Sequence, residues 1–151
     1  MTKDRIELLI VDNDPIFRLG FATALAAYPD FEIISQANDL NHALFELEQG
    51  IIPDLLVIEV NFQYFVKQKG IALKLCRQIR RKYDSLPIFV LSYSSKPKIL
   101  KILKTLDVQG YCNKGTDIET IVGAMRSIVG GEVYWQKTKV STNNFWQTNL
   151  S

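Results

Sequence analysis

Cysteine is scarce in this 151-residue sequence, with only Cys76 and Cys112 present. Two cysteines so far apart build neither a disulfide framework nor a metal knuckle, and they fit a reducing compartment. Long apolar runs are missing as well. None approaches the roughly 18 residues that a membrane-spanning helix needs. The polar opening from Met1 to Arg5 leads into a short strand-like run, too brief for a signal-peptide core. A soluble cytoplasmic protein is therefore expected. Charge of one sign is not in excess either: 18 basic residues against 16 acidic ones leave a formal charge of +2, unlike a dedicated nucleic-acid binder. The eight glycines form no phosphate-cradling turn after the first apolar run, and no Pro/Gly/Ser-rich linker divides the chain. The single histidine, His42, has no nucleophile beside it in sequence and reads as a surface or packing residue.

What is present suits one globular domain. Apolar residues make up 47% of the chain, and a domain of this length buries roughly two-thirds of its unfolded surface without help from metal or disulfide. Five β-branched, apolar runs read as strands: Ile6 to Val11, Phe31 to Ser35, Leu55 to Val60, Ile88 to Leu91 and a weaker one at Val108 to Tyr111. Helical periodicity fills the intervals. Asp14 and Pro15 open the first helix as cap and first-turn residue, with Phe17, Phe21, Ala24, Leu25 and Tyr28 on its buried face. Asp39, Ser95 and Thr116 are candidate caps for later helices. In the last helix Ile118, Ile121, Val122, Met125, Ile128 and Val129 share one face before Gly130 and Gly131 stop it. Strands as continuously apolar as Leu8 to Val11 and Leu55 to Ile58 must be covered on both faces, so the pattern predicts an α/β, doubly wound (βα)5 fold with a parallel sheet. From about Lys137 the chain turns polar and reads as a loose tail, with Tyr134, Trp135, Phe145 and Trp146 expected to cover the last helix.

In such a sheet the functional crevice lies beyond the carboxyl ends of the strands. The polar residues that follow the runs are Asp12 and Asn13, then Glu59, then Ser92, then Lys114, and all five are expected to face one crevice. Carboxylates, a hydroxyl and one lysine could hold a divalent cation or a phosphoryl group. Flavin and dinucleotide phosphates are disfavoured, because Asp12-Asn13-Asp14 would repel them where free backbone amides are needed.

These segments resemble the receiver domain of two-component response regulators, over roughly residues 5 to 132, with 133 to 151 left as a C-terminal extension or the start of a linker. Leu-Ile-Val-Asp-Asn-Asp-Pro-Ile-Phe-Arg (9 to 18) is similar to the acidic first-strand motif, Pro-Asp-Leu-Leu-Val-Ile-Glu (53 to 59) to the phosphoacceptor strand, and Val-Leu-Ser (90 to 92) to the strand with the switch hydroxyl. Gly-Tyr-Cys-Asn-Lys-Gly (110 to 115) is similar to the segment with the switch aromatic and the lysine. Asp-Pro-Ile-Phe-Arg and Gly-Gly-Glu-Val-Tyr look most like the nitrate-regulator subfamily, whose receivers commonly precede a helix-turn-helix domain. The resemblance implies a flavodoxin-like three-layer sandwich with strand order 2-1-3-4-5. It also implies an acceptor position at Glu59, switch and phosphoryl-contact positions at Ser92, Tyr111 and Lys114, and metal positions at Asp12, Asn13, Glu59 and the backbone of Asn61. A protein partner, a second copy included, is expected on the face of helix 4, strand 5 and helix 5, with no direct nucleic-acid contact and no membrane.

The sequence departs from the family where the chemistry lies. Family receivers phosphorylate an aspartate at the end of strand 3, and Glu59 adds a methylene, roughly 1.5 Å of reach, into the space a phosphoryl group needs. Asn13 replaces an acid, so Mg²⁺ is expected to bind weakly or not at all, and no other cofactor is implied. Asp14 is better explained as a helix cap than as the missing ligand. The loop after Glu59 is longer than usual and lacks the common Met-Pro pair. Glu59 is then either an inert strand end or a partial imitation of the acyl phosphate, whose −1.5 to −2 charge one carboxylate copies only in part. Lys96, Lys98, Lys101 and Lys104 decorate the fourth helix while Ile99, Ile102, Leu103 and Leu106 face inward, which gives either a solvated face or a surface for an acidic partner.

Two other functions compete with a pseudo-receiver. One is a receiver of a transcriptional regulator whose DNA-binding domain lies outside this chain. The other is a haloacid-dehalogenase-like phosphatase with Asp12 as nucleophile and Asp14 as general acid; no acidic pair after a later strand supports it. A non-enzymatic signalling module is the expectation.

Overall fold

The computed structural model of the chain describes residues 4–59, 69–93 and 96–137. Its strands are β1 (Ile6–Val11), β2 (Phe31–Ala37), β3 (Leu55–Glu59), β4 (Ile88–Ser92), β5 (Gly110–Asn113) and β6 (Tyr134–Trp135). The helices between them are α1 (Pro15–Leu25), α2 (Leu40–Glu48), α3 (Lys69–Lys82), α4 (Pro97–Thr105) and α5 (Ile118–Val129). The sheet order is β2-β1-β3-β4-β5-β6, and every neighbouring pair is parallel. This is the flavodoxin-like arrangement expected, with one strand added at its edge.

Period-two alternation divides the central strands between two apolar layers. Leu9, Val11, Leu56, Ile58, Ile88 and Val90 pack under α2, α3 and α4. Leu8, Ile10, Leu55, Val57, Phe89 and Leu91 pack under α1 and α5. On α1 only Phe21 and Leu25 of the expected face are fully buried, while Phe17, Ala24 and Tyr28 are half-buried. On α4, Ile99, Leu103 and Leu106 are buried, Ile102 is half-buried, and Lys96, Lys98, Lys101 and Lys104 are exposed. Both cysteine thiols are pushed up to about 12 by burial, which removes them from thiolate chemistry at neutral pH.

The caps follow the sequence in two cases and correct it in two. Asp14 Oδ1 accepts a hydrogen bond from Ile16 N at 2.9 Å, and Asp39 Oδ1 accepts one from His42 N at 2.8 Å. The cap of α5 is Asp117 rather than Thr116, because its carboxylate accepts from Thr120 N at 3.1 Å. Thr116 instead accepts from Gln136 Nε2 at 2.7 Å. Lys96 stands at the cap position of α4, and Ser95 lies outside the described residues. Gly131 takes φ +97° just after α5, the left-handed conformation that lets the chain leave the helix.

The fifth strand lies two residues later than the apolar run suggested. Asp107 takes φ 55°, and the ladder begins where Gln109 N donates to Ile88 O at 2.9 Å. Its start is packed tightly: a Cβ on Gly110 would fall 2.6 Å from Tyr134 O, so glycine is what lets β6 approach. The strand at Tyr134 and Trp135 corrects the reading of these residues as a cover for α5. Trp135 stacks on Tyr111 at 6.3 Å between ring centroids, on the α2-α3-α4 side, and only Tyr134 joins the layer of α1 and α5. Phe145, Trp146 and the polar residues after Lys137 lie outside the described residues.

Candidate functional site

Asp12 follows directly on β1, and its backbone is fixed from both sides. Its N–H donates to Ala37 O at 3.0 Å, and its carbonyl accepts from the Arg18 guanidinium. Arg18 Nε also donates to Gln36 Oε1 at 3.1 Å, so one side chain of α1 holds the ends of β1 and β2 together. The Asp12 Oδ1 atom accepts from Asp14 N at 2.8 Å. That local turn leaves Oδ2 aimed into the crevice.

Lys114 reaches the same place from the turn after β5. Its N–H donates to Ser92 O at 3.0 Å, which ties the turn to the end of β4. Lys114 Nζ lies 2.8 Å from Asp12 Oδ2 and 2.7 Å from Glu59 Oε1, with side-chain exposures of 1% for the lysine, 2% for the aspartate and 13% for the glutamate. Two aromatic rings stand over the ammonium: Phe17 at 4.1 Å and Tyr93 at 4.9 Å from their centroids. Such ring faces attract a cation, the more so where water is excluded. Three charges with a net of −1 are thus packed against each other beneath an aromatic roof.

The titration behaviour follows from that packing. Burial raises the pKa of Glu59 above its ordinary value, and the neighbouring Asp12 carboxylate adds to the rise; the hydrogen bond from Lys114 opposes it without cancelling it. Burial works against the Lys114 ammonium, but hydrogen bonds to Asp12 and Glu59 outweigh it and leave the lysine pKa raised. The lysine is therefore charged throughout the neutral range.

The other sequence-derived residues are placed differently. Ser92 ends β4 and is 1% exposed. Tyr111, also 1% exposed, pairs in register with Val90 and packs in the α2-α3-α4 layer against Trp135. Asn13 is exposed. Asn61 lies outside the described residues, as does most of the long loop after Glu59. His42 is half-exposed on α2, and its Nε2 lies 3.2 Å from Glu46 Oε1. Among the described residues, no three or more His, Cys, Asp or Glu side chains are grouped so as to hold a metal ion.

Four contributors were not legible beforehand. Arg18 and Gln36 clamp Asp12, Tyr93 roofs Lys114, and Gln136 accepts from Asn113 N at 2.7 Å while bonding Thr116, which steadies the lysine turn. Phe17, on the buried face of α1 by its spacing, also covers the ammonium with its ring. A periodicity count could not have found these roles, because each depends on where two strand ends meet.

Comparison with known proteins agrees with this architecture. The family model of the response regulator receiver domain matches residues 8–126, so the chain belongs to that family. Receiver domains of two-component response regulators are generally signalling modules rather than enzymes. Among curated relatives, the Ycf55-like protein of Synechocystis is 28% identical over 89% of this chain and 23% of its own length. The transcriptional regulatory protein DegU of Brevibacillus brevis is 26% identical over 89% of this chain and 54% of its own. Response regulator GacA of Pseudomonas aeruginosa is 25% identical over 85% of this chain and 58% of its own. The chain thus spans little more than half, or less, of the curated relatives it matches. Among solved structures, the isolated receiver domain of RcsB from Salmonella enterica serovar Typhimurium in its apo form superposes with a TM-score of 0.75 at 20% identity, covering 88% of this chain and 94% of that one. The receiver domain of the NarL regulator from Mycobacterium tuberculosis gives 0.71 at 20% identity, covering 86% of this chain and all of that domain. No helix among the described residues is long and apolar enough to cross a membrane.

Proposed function

We propose that this chain is an atypical receiver whose crevice is filled by its own lysine, so that it takes a phosphoryl group poorly or not at all and works as a protein-interaction and regulatory module. The observation that carries this reading is the position of Lys114 Nζ, 2.8 Å from Asp12 and 2.7 Å from Glu59. Glu59 stands at the acceptor position, Ser92, Tyr111 and Lys114 at the switch and phosphoryl-contact positions, and Asp12, Asn13 and Asn61 at the remaining metal positions. Mg²⁺ demands several oxygens in near-octahedral array at roughly 2.0–2.1 Å. Here both converging carboxylates are already bound to an ammonium, and the second acidic position is the neutral, exposed Asn13. The donor set fits Mg²⁺ badly, and no step is routed through it.

Glu59 gives the site a second handicap and one advantage. Its extra methylene lets the carboxylate span the gap to Lys114, the contact that a shorter aspartate would share with a phosphoryl group. A permanent ion pair at this point holds the ends of β3 and β5 together without a kinase. The phosphatase reading is disfavoured by Asp14, which caps α1, and by Asp117, which caps α5. An output partner is expected on the face of α4, β5 and α5, where the lysines of α4 are exposed.

A second reading has one supporting observation: DegU and GacA extend well beyond the matched region, which fits a receiver whose DNA-binding domain lies outside this chain. Both readings share one test of the residue assignments. Asn13→Asp with Glu59→Asp restores a third carboxylate and shortens the acceptor arm. Incubated with Mg²⁺ and acetyl phosphate, the double variant should gain one phosphoryl group by intact mass, and each single variant should gain less, because the two act on one site. A folded double variant that neither binds Mg²⁺ nor accepts phosphate would overturn the placement of the site.

A further inference from the structure

The near-neutral total charge hides a strong division. Residues 69–104 hold ten of the 18 basic residues and one of the 16 acidic ones, a local charge of +9, whereas the rest of the chain holds eight basic and 15 acidic residues, or −7. The fold gathers the basic part on one side. Helix α3 connects β3 to β4 and α4 connects β4 to β5, so the two lie next to each other over the same apolar layer. Arg80 ties α3 to the segments that flank β4 and α4: its Nη2 donates to Asp107 O at 2.9 Å, beyond the end of α4, and to Gln109 Oε1 at 3.0 Å, while its Nη1 donates to Leu86 O at 2.8 Å.

Several other cations of the two helices are exposed. Lys74, Arg77 and Arg81 are exposed on α3, and Lys98 and Lys101 are exposed on α4. At 1.5 Å per residue, Lys74 to Arg81 spans roughly 10 Å along the helix. At helical spacing the three fall within a narrow stripe. Neither helix contains an acidic residue, so no pair within either helix neutralises these charges. Such a field draws an oppositely charged partner and sets its orientation.

We propose that the paired face of α3 and α4 is a docking surface for an acidic protein segment, one that presents several carboxylates over a length of about 10 Å. A short acidic segment is favoured over duplex nucleic acid by the charge division itself. A segment of that length can lie wholly within the basic face, whereas a long duplex carries its phosphates past the face toward the rest of a chain whose residues outside 69–104 sum to −7. Half-buried Leu100 and Ile102 on α4 add apolar contact of the kind peptide side chains use and a phosphate backbone does not. This surface adds α3 to the family-type output face and does not depend on whether the crevice is phosphorylated.

Anisotropy titration with fluorescein-labelled deca-glutamate, deca-glutamine and a 20-base-pair duplex tests the assignment. Deca-glutamate should bind the wild-type protein, deca-glutamine should not, and binding should weaken steeply between 50 and 200 mM salt, because exposed charges are screened over roughly 8–10 Å. Combining Arg77→Glu, Arg81→Glu, Lys98→Glu and Lys101→Glu should weaken deca-glutamate binding by about tenfold or more. The control pair Arg5→Glu and Lys137→Glu should leave it unchanged. If the fourfold reversal fails to fold, the four glutamine substitutions should give the same ranking. Equal binding by the fourfold variant and the wild type would overturn the proposal, as would no binding of deca-glutamate. Tighter binding of the duplex at equal salt would make the face a nucleic-acid surface instead. A wild-type dimer that the same substitutions dissolve would assign it to a second copy of the chain.

Discussion

Lysine is used in two opposite ways in this molecule. Lys114 is 1% exposed at its side chain and sits between two carboxylates under two aromatic rings, whereas Lys98 and Lys101 stand in water on α4 with no acid on their own helix. Burial ties the first lysine closely to its partners: Asp12 Oδ1 has the Asp14 N–H, but among the described contacts the charges of Asp12 and Glu59 are compensated chiefly by the ammonium. Exposure makes the second group dispensable to the fold and available to a partner. The same side chain is thus locked in an ion-pair cluster at one place and stands in water at another.

The comparison breaks most visibly on truncation. Lys114→Ala should destabilise the protein by about 3–5 kcal/mol, because it leaves two buried carboxylates facing each other. Lys101→Ala should change stability by no more than about 0.5 kcal/mol. Urea unfolding of the two variants side by side measures the contrast. Equal effects would mean that the crevice lysine is solvated like the surface one.

A smaller effect sharpens the account of Glu59. Its folded pKa is raised from 4.5, first by burial, so the native state holds the Glu59 proton more tightly than the unfolded chain does. The stability this group contributes is present below its ordinary value and is lost as pH rises through the folded value. Glu59→Gln removes that loss, so its stability relative to wild type should improve as pH climbs from about 4 to about 7. Lys114 does not confuse the window, since its raised pKa lies above 10.5 and its contribution falls away only in alkali. Parallel curves for the two proteins would show that the ion pair fully offsets the burial of Glu59.

The fold was legible in the sequence because its strands are buried on both faces and its helices are not. Continuous apolar runs at Leu8 to Val11 and Leu55 to Ile58 and the periodic face of α5 leave little choice of partner. The misplaced fifth strand and the unforeseen sixth share a cause: their limits depend on Asp107 adopting φ 55° and on Gly110 admitting the backbone of Tyr134, neither of which alters hydropathy. In the site, Asp12, Glu59 and Lys114 were legible as polar residues at strand ends. Their mutual distances were not, nor was the roof of Phe17 and Tyr93, since ring placement is set by packing across elements far apart in sequence. The basic face was read on α4 alone. The α3 half was missed because the charge balance of the whole chain conceals an excess confined to one stretch.

Phosphorylation of the unaltered protein tests the central claim most directly. Under the proposed function, wild-type protein incubated with Mg²⁺ and acetyl phosphate and weighed intact should keep its unmodified mass, with Lys114 remaining on Asp12 and Glu59. A rapid, near-stoichiometric gain of one phosphoryl group, mapped to Glu59 or Asp12, would contradict it.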